Sequence, residues 1–226
     1  MGARLFQKIG YIFQSIASIV YNKGEVCLLC ENPEEKELIC DVCKSQIKIL
    51  KLKYDVEQQG IKFPCCSLGI YSFNLKKLVL MLKYENEFMA GKILASYLSS
   101  YIKEDLEENI DLITFVPSSK ASYRKRGFNQ CEVLCQYVSE ECGIPYRSLM
   151  RKKSEGRDQI GLDTNKRWEN VKDSFMMINK EEVFNRKILL IDDVVTSGAT
   201  SFYGAKCLKD GGASEVYILT VAKSRV

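Results

Sequence analysis

The sequence predicts an α/β fold, a mainly parallel sheet flanked by helices, with a small four-cysteine module ahead of it. Three observations carry this. From residue 70 onward, short branched-apolar runs alternate with helical periodicities, the pattern of strands joined by right-handed crossovers. One of these runs, Ile188–Ile191, ends in two aspartates and a small-residue turn that opens a helix. Between Cys27 and Gly69 lie six of the ten cysteines, four of them as two CxxC pairs, with little regular periodicity.

The elements follow in order. Leu5, Ile9, Ile12, Ile16 and Ile19 recur at helical spacing and predict an amphipathic N-terminal helix. Ile70–Phe73 reads as a short strand, followed by helices over Leu75–Lys83 and Glu87–Lys103. Asp111–Pro117 has the character of a buried strand, and Gly127–Cys142 that of a helix closed by Gly143 and Pro145. Tyr146–Met150, Ser174–Ile178, Lys187–Asp193 and Glu215–Ala222 read as further strands. A helix over Ser197–Asp210, ended by Gly211-Gly212, lies before the last of them. The division expected from this pattern is 1–69 for the N-terminal helix and cysteine module and 70–226 for the α/β domain.

Composition narrows the chemistry. The 226 residues suit one α/β domain of ordinary size with a small appendage. Histidine is absent, which excludes imidazole bases, Ser-His and Cys-His pairs and His metal ligands together. Net charge is +4, yet Lys120–Arg167 holds eleven Lys/Arg against six Asp/Glu, so this stretch carries +5 and the rest −1. A basic stretch of this kind is suited to phosphates. The N-terminal apolar run is broken by Gln7, Lys8 and Gln14, so no secretory signal or membrane span is expected and the location expected is cytoplasmic.

The segment Ile188-Leu-Leu-Ile-Asp-Asp-Val-Val-Thr-Ser-Gly-Ala-Thr200 carries the strongest functional signal. A buried strand delivers Asp192 and Asp193 to its C-terminal end, the edge where open α/β sheets bind ligands. Val194 and Val195 then lead to Thr196, Ser197, Gly198, Ala199 and Thr200, hydroxyls and small residues at a helix start whose free N–H groups attract an anion. A loop holding phosphate alone has no use for two carboxylates. A phosphate cradle beside two acceptors suits a ribose 5-phosphate, whose vicinal hydroxyls need such acceptors. The competing P-loop requires G-x-x-x-x-G-K-[ST], and Gly91-Lys92 lacks its first Gly and its Ser/Thr. A response-regulator acidic pair would sit on the first strand, with most of the domain after it.

The pairs Cys27/Cys30 and Cys40/Cys43 each clamp one side of a tetrahedral ion, and a chain without histidine builds an all-thiolate site. In a reducing compartment such spacing points to a metal more readily than to disulfides. Zinc is the expected ion, with iron sharing the ligand set. Cys131, Cys135 and Cys142 share one helical face and read as small buried hydrophobes.

These features together resemble the ComF family, amidophosphoribosyltransferase-like proteins tied to DNA uptake in competent bacteria, within the type I phosphoribosyltransferase superfamily. The resemblance rests on the paired cysteines, Tyr123-Arg-Lys-Arg-Gly-Phe-Asn-Gln130, Gln159 to Phe175 and the Ile188–Thr200 segment, in that order. It implies a type I phosphoribosyltransferase-like fold that binds phosphoribosyl diphosphate (PRPP). Asp192 and Asp193 would take the ribose hydroxyls, Thr196 to Thr200 the 5-phosphate, and Pro117, Ser118, Ser119 and Lys120 the diphosphate loop. Mg²⁺ would accompany PRPP, and zinc would be structural. Arg126, Lys166 and Arg167 are then candidates for stabilising the leaving diphosphate, with Gln159–Leu162 in the place of a mobile lid. Arg124, Lys125 and Arg126 are equally suited to a nucleic-acid backbone, and Tyr123, Phe128 and Trp168 to stacking or to packing. The family implies single-stranded DNA and competence-machinery proteins as partners, with peripheral membrane association through them. It often has another CxxC where this chain has Cys65-Cys66. Because Val226 follows soon after the last expected strand, a hood over the ligand is expected from the N-terminal region, and no pattern identifies an acceptor.

Overall fold

The structure is a computed structural model. It describes residues 26–33, 37–153 and 164–224, with only the backbone of 164–167. The expected N-terminal helix and Gln159–Leu162 lie outside the described residues.

The chain forms two compact units, Met1–Gln46 and Ile47–Val226. In the first, one short helix is described, α1 (Asp41–Ser45), capped by the Cys40 side chain. The second is built on a five-stranded sheet of β1 (Leu52–Gln58), β2 (Ile61–Ile70), β3 (Leu112–Phe115), β6 (Lys187–Val195) and β7 (Glu215–Lys223). Their order is β1-β2-β7-β6-β3. Strands β2, β7, β6 and β3 are mutually parallel, and β1 joins antiparallel at the edge through a tight hairpin. Gln59 (φ 52°) and Gly60 (φ 78°) both take the left-handed conformation that two-residue hairpin turns need. The expected boundary at 69/70 therefore moves back. Residues 52–70 pair into the main sheet and leave the cysteine pairs alone in the smaller unit.

Helices α2 (Phe73–Tyr84), α3 (Phe88–Glu104) and α5 (Gln130–Cys142) contribute Leu78, Leu82, Leu94, Leu98 and Leu134 to the core, each fully buried. Helix α7 (Ala199–Asp210) packs with β1, β6 and β7, burying Phe202 among Phe63, Leu190 and Ile218. The helix expected over 127–142 is α5, which begins at Gln130 behind an Asn129 cap; a further helix that the sequence did not predict, α4 (Lys120–Arg126), precedes it and ends at Gly127 in the left-handed conformation (φ 82°). Helix α6 (Thr164–Val171) lies between β4 (Met150–Lys152) and β5 (Phe175–Met177), which pair as a separate antiparallel ribbon. Tyr146 makes only an isolated bridge to Ile113, so the strand expected over 146–150 is reduced to the start of β4. Among the described residues, no helix is long and apolar enough to cross a membrane.

Candidate functional site

Parallel pairing on both sides of β6 carries Asp192 and Asp193 to the C-terminal edge of the sheet, where Asp192 stands in register with Thr220. Both are buried, each with 6% of its surface exposed, so their charges are met by protein groups. Asp192 Oδ1 accepts from the Asp193 N–H (2.9 Å) and, weakly, from the Cys131 thiol (3.6 Å), while Oδ2 accepts from Ser201 Oγ (2.8 Å). Asp193 Oδ1 accepts from the Val194 N–H, and its Oδ2 receives two donors at 2.7 Å, Gln130 Nε2 and the Lys83 ammonium. Burial and the neighbouring Asp193 charge push Asp192 up to about 6, against the pull of Ser201, the Asp193 N–H and Lys83. A carboxylate offers about four lone-pair positions. By these contacts each aspartate keeps room for one more donor, Asp192 on Oδ2 and Asp193 on Oδ1.

Past the aspartates the chain turns through half-buried Ser197 and exposed Thr196 into α7. Gly198 caps this helix at φ 85°, and a Cβ there would lie 2.8 Å from Val56 Cγ1, so glycine is required twice over. The turn is anchored on its far side by the Ser224 N–H to the Val195 carbonyl (2.8 Å). The 12-residue helix presents its first N–H groups beside the hydroxyls of Ser197 and Thr200.

Strand β3 brings Pro117–Lys120 to the same edge, because the Val116 N–H bonds Ile191 O (3.0 Å), one residue before Asp192. Ser119 caps α4 by accepting from the Ser122 N–H. Lys120, Arg124 and Lys125 are exposed, whereas Arg126 turns inward. Its guanidinium donates to Gln130 Oε1 (2.8 Å) and lies 5.3 Å from the centre of the Tyr84 ring. Asn129 donates to Val116 O (3.0 Å) and caps α5 through the Cys131 N–H. The Arg-Gly-Phe-Asn-Gln run is thereby accounted for: it locks two helix ends to β3 and hands Gln130 to Asp193. Lys83, Gln130 and Ser201 complete the site, and sequence reasoning missed all three. The available signal was a lone Lys ending an otherwise apolar helix stripe. Lys166 and Arg167 fall on α6, where only backbone is described. Phe128 packs on Phe88 (5.1 Å) and Trp168 on Phe202 (5.5 Å), while Tyr123 is half exposed.

In the smaller unit, Cys27, Cys30, Cys40 and Cys43 place their Sγ atoms within 4.8 Å of one another. The Cys30–Cys40 separation is 3.7 Å, close to the edge of a tetrahedron with metal–sulfur bonds of about 2.3 Å. A backbone bond from Leu28 to Leu38 (2.9 Å) ties the two CxxC turns together, and the Cys40 N–H donates to Cys27 Sγ (3.3 Å). Burial works to raise the Cys27 thiol, but N–H donors from Cys40, Cys30 and Leu29 outweigh it and bring it down to about 6. Burial and the other thiols push Cys43 up. Such mutual opposition among four thiols is what a dication relieves, and the donor set fits zinc. Cys65 and Cys66 sit on β2 of the larger unit, buried beside Tyr54 and Tyr101. Cys131 also lies within 4.8 Å of both aspartates, but there the positive charge is already supplied by Lys83.

Fold and site define an α/β protein whose acidic strand end leads into a helix start, with a four-cysteine cluster in its smaller unit. No family model matches the chain. It is 31% identical to Competence protein ComFC of Streptococcus pneumoniae over 167 residues, covering 74% of this chain and 71% of that protein. It is 24% identical to Competence protein F of Haemophilus influenzae, covering 89% and 92%. DNA utilization protein YhgH of Escherichia coli matches over half of each chain at 29% identity. Among solved structures it resembles the glutamine PRPP amidotransferase of Bacillus subtilis complexed with ADP and GMP, with 22% identity, coverage of 59% and 26%, and a TM-score of 0.41. The chain belongs to the ComF family of competence proteins.

Proposed function

We propose that the chain binds PRPP at the C-terminal edge of its sheet and serves DNA uptake in natural transformation. The observation that carries the ligand is the buried carboxylate pair, with one acceptor position left on each aspartate, directly before a helix-start anion loop. Two remaining acceptors match two vicinal hydroxyls, and the helix start matches the 5-phosphate. The residues 192–200 would hold the ribose phosphate, and 117–120, next to Asp192 through the β3–β6 pairing, the diphosphate. Mg²⁺ would be held mainly by oxygens of the ligand, since Lys83 and not a vacant acidic cage faces Asp193. The role in DNA uptake is supported by the names of the relatives, one a DNA utilization protein, and by the exposed bases of α4. Single-stranded DNA and competence proteins are the partners this reading implies, in the cytoplasm, with zinc as a structural ion.

Calorimetric titration with PRPP and Mg²⁺ tests the pocket. The natural chain is expected to bind, and Asp192→Asn/Asp193→Asn to lose at least about tenfold in affinity, as deletion of charge-assisted hydrogen bonds requires. Equal heats in both, or none in either, would remove the assignment. A second reading, an active phosphoribosyltransferase with an unidentified acceptor, is favoured by Arg126 held at the edge of the site, and diphosphate release on adding an acceptor would establish it.

A further inference from the structure

The ammonium of Lys83 is a charge placed where burial opposes it. Only 17% of its side chain is exposed, and its ordinary place at the end of an amphipathic helix would be solvent. Instead it reaches Asp193 Oδ2 at 2.7 Å, sharing that oxygen with Gln130. Gln130 is fixed in turn by Arg126, and Arg126 by the ring of Tyr84, the residue after Lys83. So α2, α4 and α5 all converge on one carboxylate oxygen and leave the other. Two abutting buried carboxylates repel each other, and one buried cation is what makes their joint charge tenable.

We propose that Lys83 is a positioning residue for the ribose ligand: its ammonium balances the paired charge of Asp192 and Asp193 and, with Gln130, fixes Asp193 so that Oδ1 keeps its acceptor position for a sugar hydroxyl. This rests on the ribose-phosphate reading given above. The groups facing the pair are Lys83 from α2, Cys131 from α5, Cys65 from β2 and Tyr71 from the turn after β2, with Arg126 of α4 reaching Gln130. Burial pushes Cys131 well above its ordinary value, Cys65 up to about 12, and Tyr71 upward. Burial pulls Lys83 down, but the Asp193 charge outweighs it and raises Lys83. None of these groups changes charge between neutral and mildly alkaline pH. In the natural chain, affinity for the sugar should therefore be level over that range. Without the ammonium, the pair retains a proton at neutral pH, loses an acceptor, and regains it as pH rises.

The test is binding of ribose 5-phosphate, which lacks the diphosphate, to the full chain near pH 7 and near pH 9. Lys83→Met is expected to bind about tenfold more weakly near pH 7, one pKa unit of displacement being tenfold, and to recover most of this near pH 9. Lys83→Arg, keeping the charge, should stay level. Lys83→Gln serves the same comparison if the Met variant does not fold. Weakening of the uncharged variant by the same factor at both pH values, or the same pH-dependent loss in Lys83→Arg, overturns the positioning role while the sugar site stands. Failure of the natural chain to bind ribose 5-phosphate at either pH overturns the sugar reading and this role with it.

Discussion

Asp192 is a residue whose function and stability pull in opposite directions. Burial and Asp193 raise it from an ordinary 3.8 to about 6. A folded-state pKa above the unfolded one contributes stability that is fully present below the unfolded value and is lost as pH rises through the folded one. The native state therefore loses stability at this residue between about pH 4 and pH 6 and carries the cost at neutral pH. Asp192→Asn keeps an acceptor for the Asp193 N–H and removes the charge. It should be more stable than the natural chain near pH 8, by on the order of 1–3 kcal/mol, and no more stable near pH 4. Urea unfolding at the two pH values measures this. A gain at pH 8 together with lost PRPP binding would mark the carboxylate as kept for the ligand. The aspartates themselves were legible in the sequence because strand, acid pair and small-residue turn are contiguous. Lys83 and Gln130 were not, because they reach the pair from α2 and α5, far from it in the chain; Ser201, next to Thr200, was missed because a single hydroxyl within a helix carries no pattern of its own.

At the scale of elements, the sequence placed most helices and strands within a few residues, since periodicity and Gly punctuation are local signals. It misread two. The hairpin β1–β2 was absorbed into the cysteine module because β1 is a polar edge strand and Gln59-Gly60 is a weak turn signal. Helix α4 was missed because Lys120–Arg126 is a basic run without an apolar stripe, and it is parted from α5 by a break at Gly127–Asn129. That break matters for function: it points Arg126 inward and leaves Arg124 and Lys125 outside. The basic element is thus divided between the carboxylate site, through Gln130, and the surface, and a DNA experiment should spare Arg126. Arg124→Ala/Lys125→Ala is expected to weaken binding to single-stranded DNA and to lower the log–log salt slope by about 1.4, two phosphate contacts at about 0.7 each. PRPP binding should be unchanged. An unaltered slope would exclude α4 as the DNA-facing element.

Across the whole molecule the two units owe their order to different physics. The larger buries a continuous core from Val56 through Ile218, sufficient for a sheet of five strands with helices on it. In the smaller, the buried apolar side chains among the described residues are Leu29, Ile39 and cysteines, so within 26–46 burial contributes little. An ion held by the four sulfurs would supply the missing order, because structural zinc contributes folding free energy directly. The CxxC spacing announced this in the sequence, whereas the junction at 46/47 became visible only once β1 was seen to pair with β2. Metal removal should therefore act on one unit. Treating the full chain with a strong chelator under reducing conditions is expected to release about one zinc per chain and to open the 26–46 segment to proteolysis. The 47–226 unit should keep its protection and its cooperative unfolding midpoint to within about 2 °C, the size of a shift of roughly 0.5 kcal/mol in a domain of this size. Limited proteolysis with mass spectrometry reads both units at once. Collapse of the whole chain on chelation would show instead that the thiolate site is a keystone of the sheet, and an absence of metal in the purified protein would remove the four-thiolate site altogether.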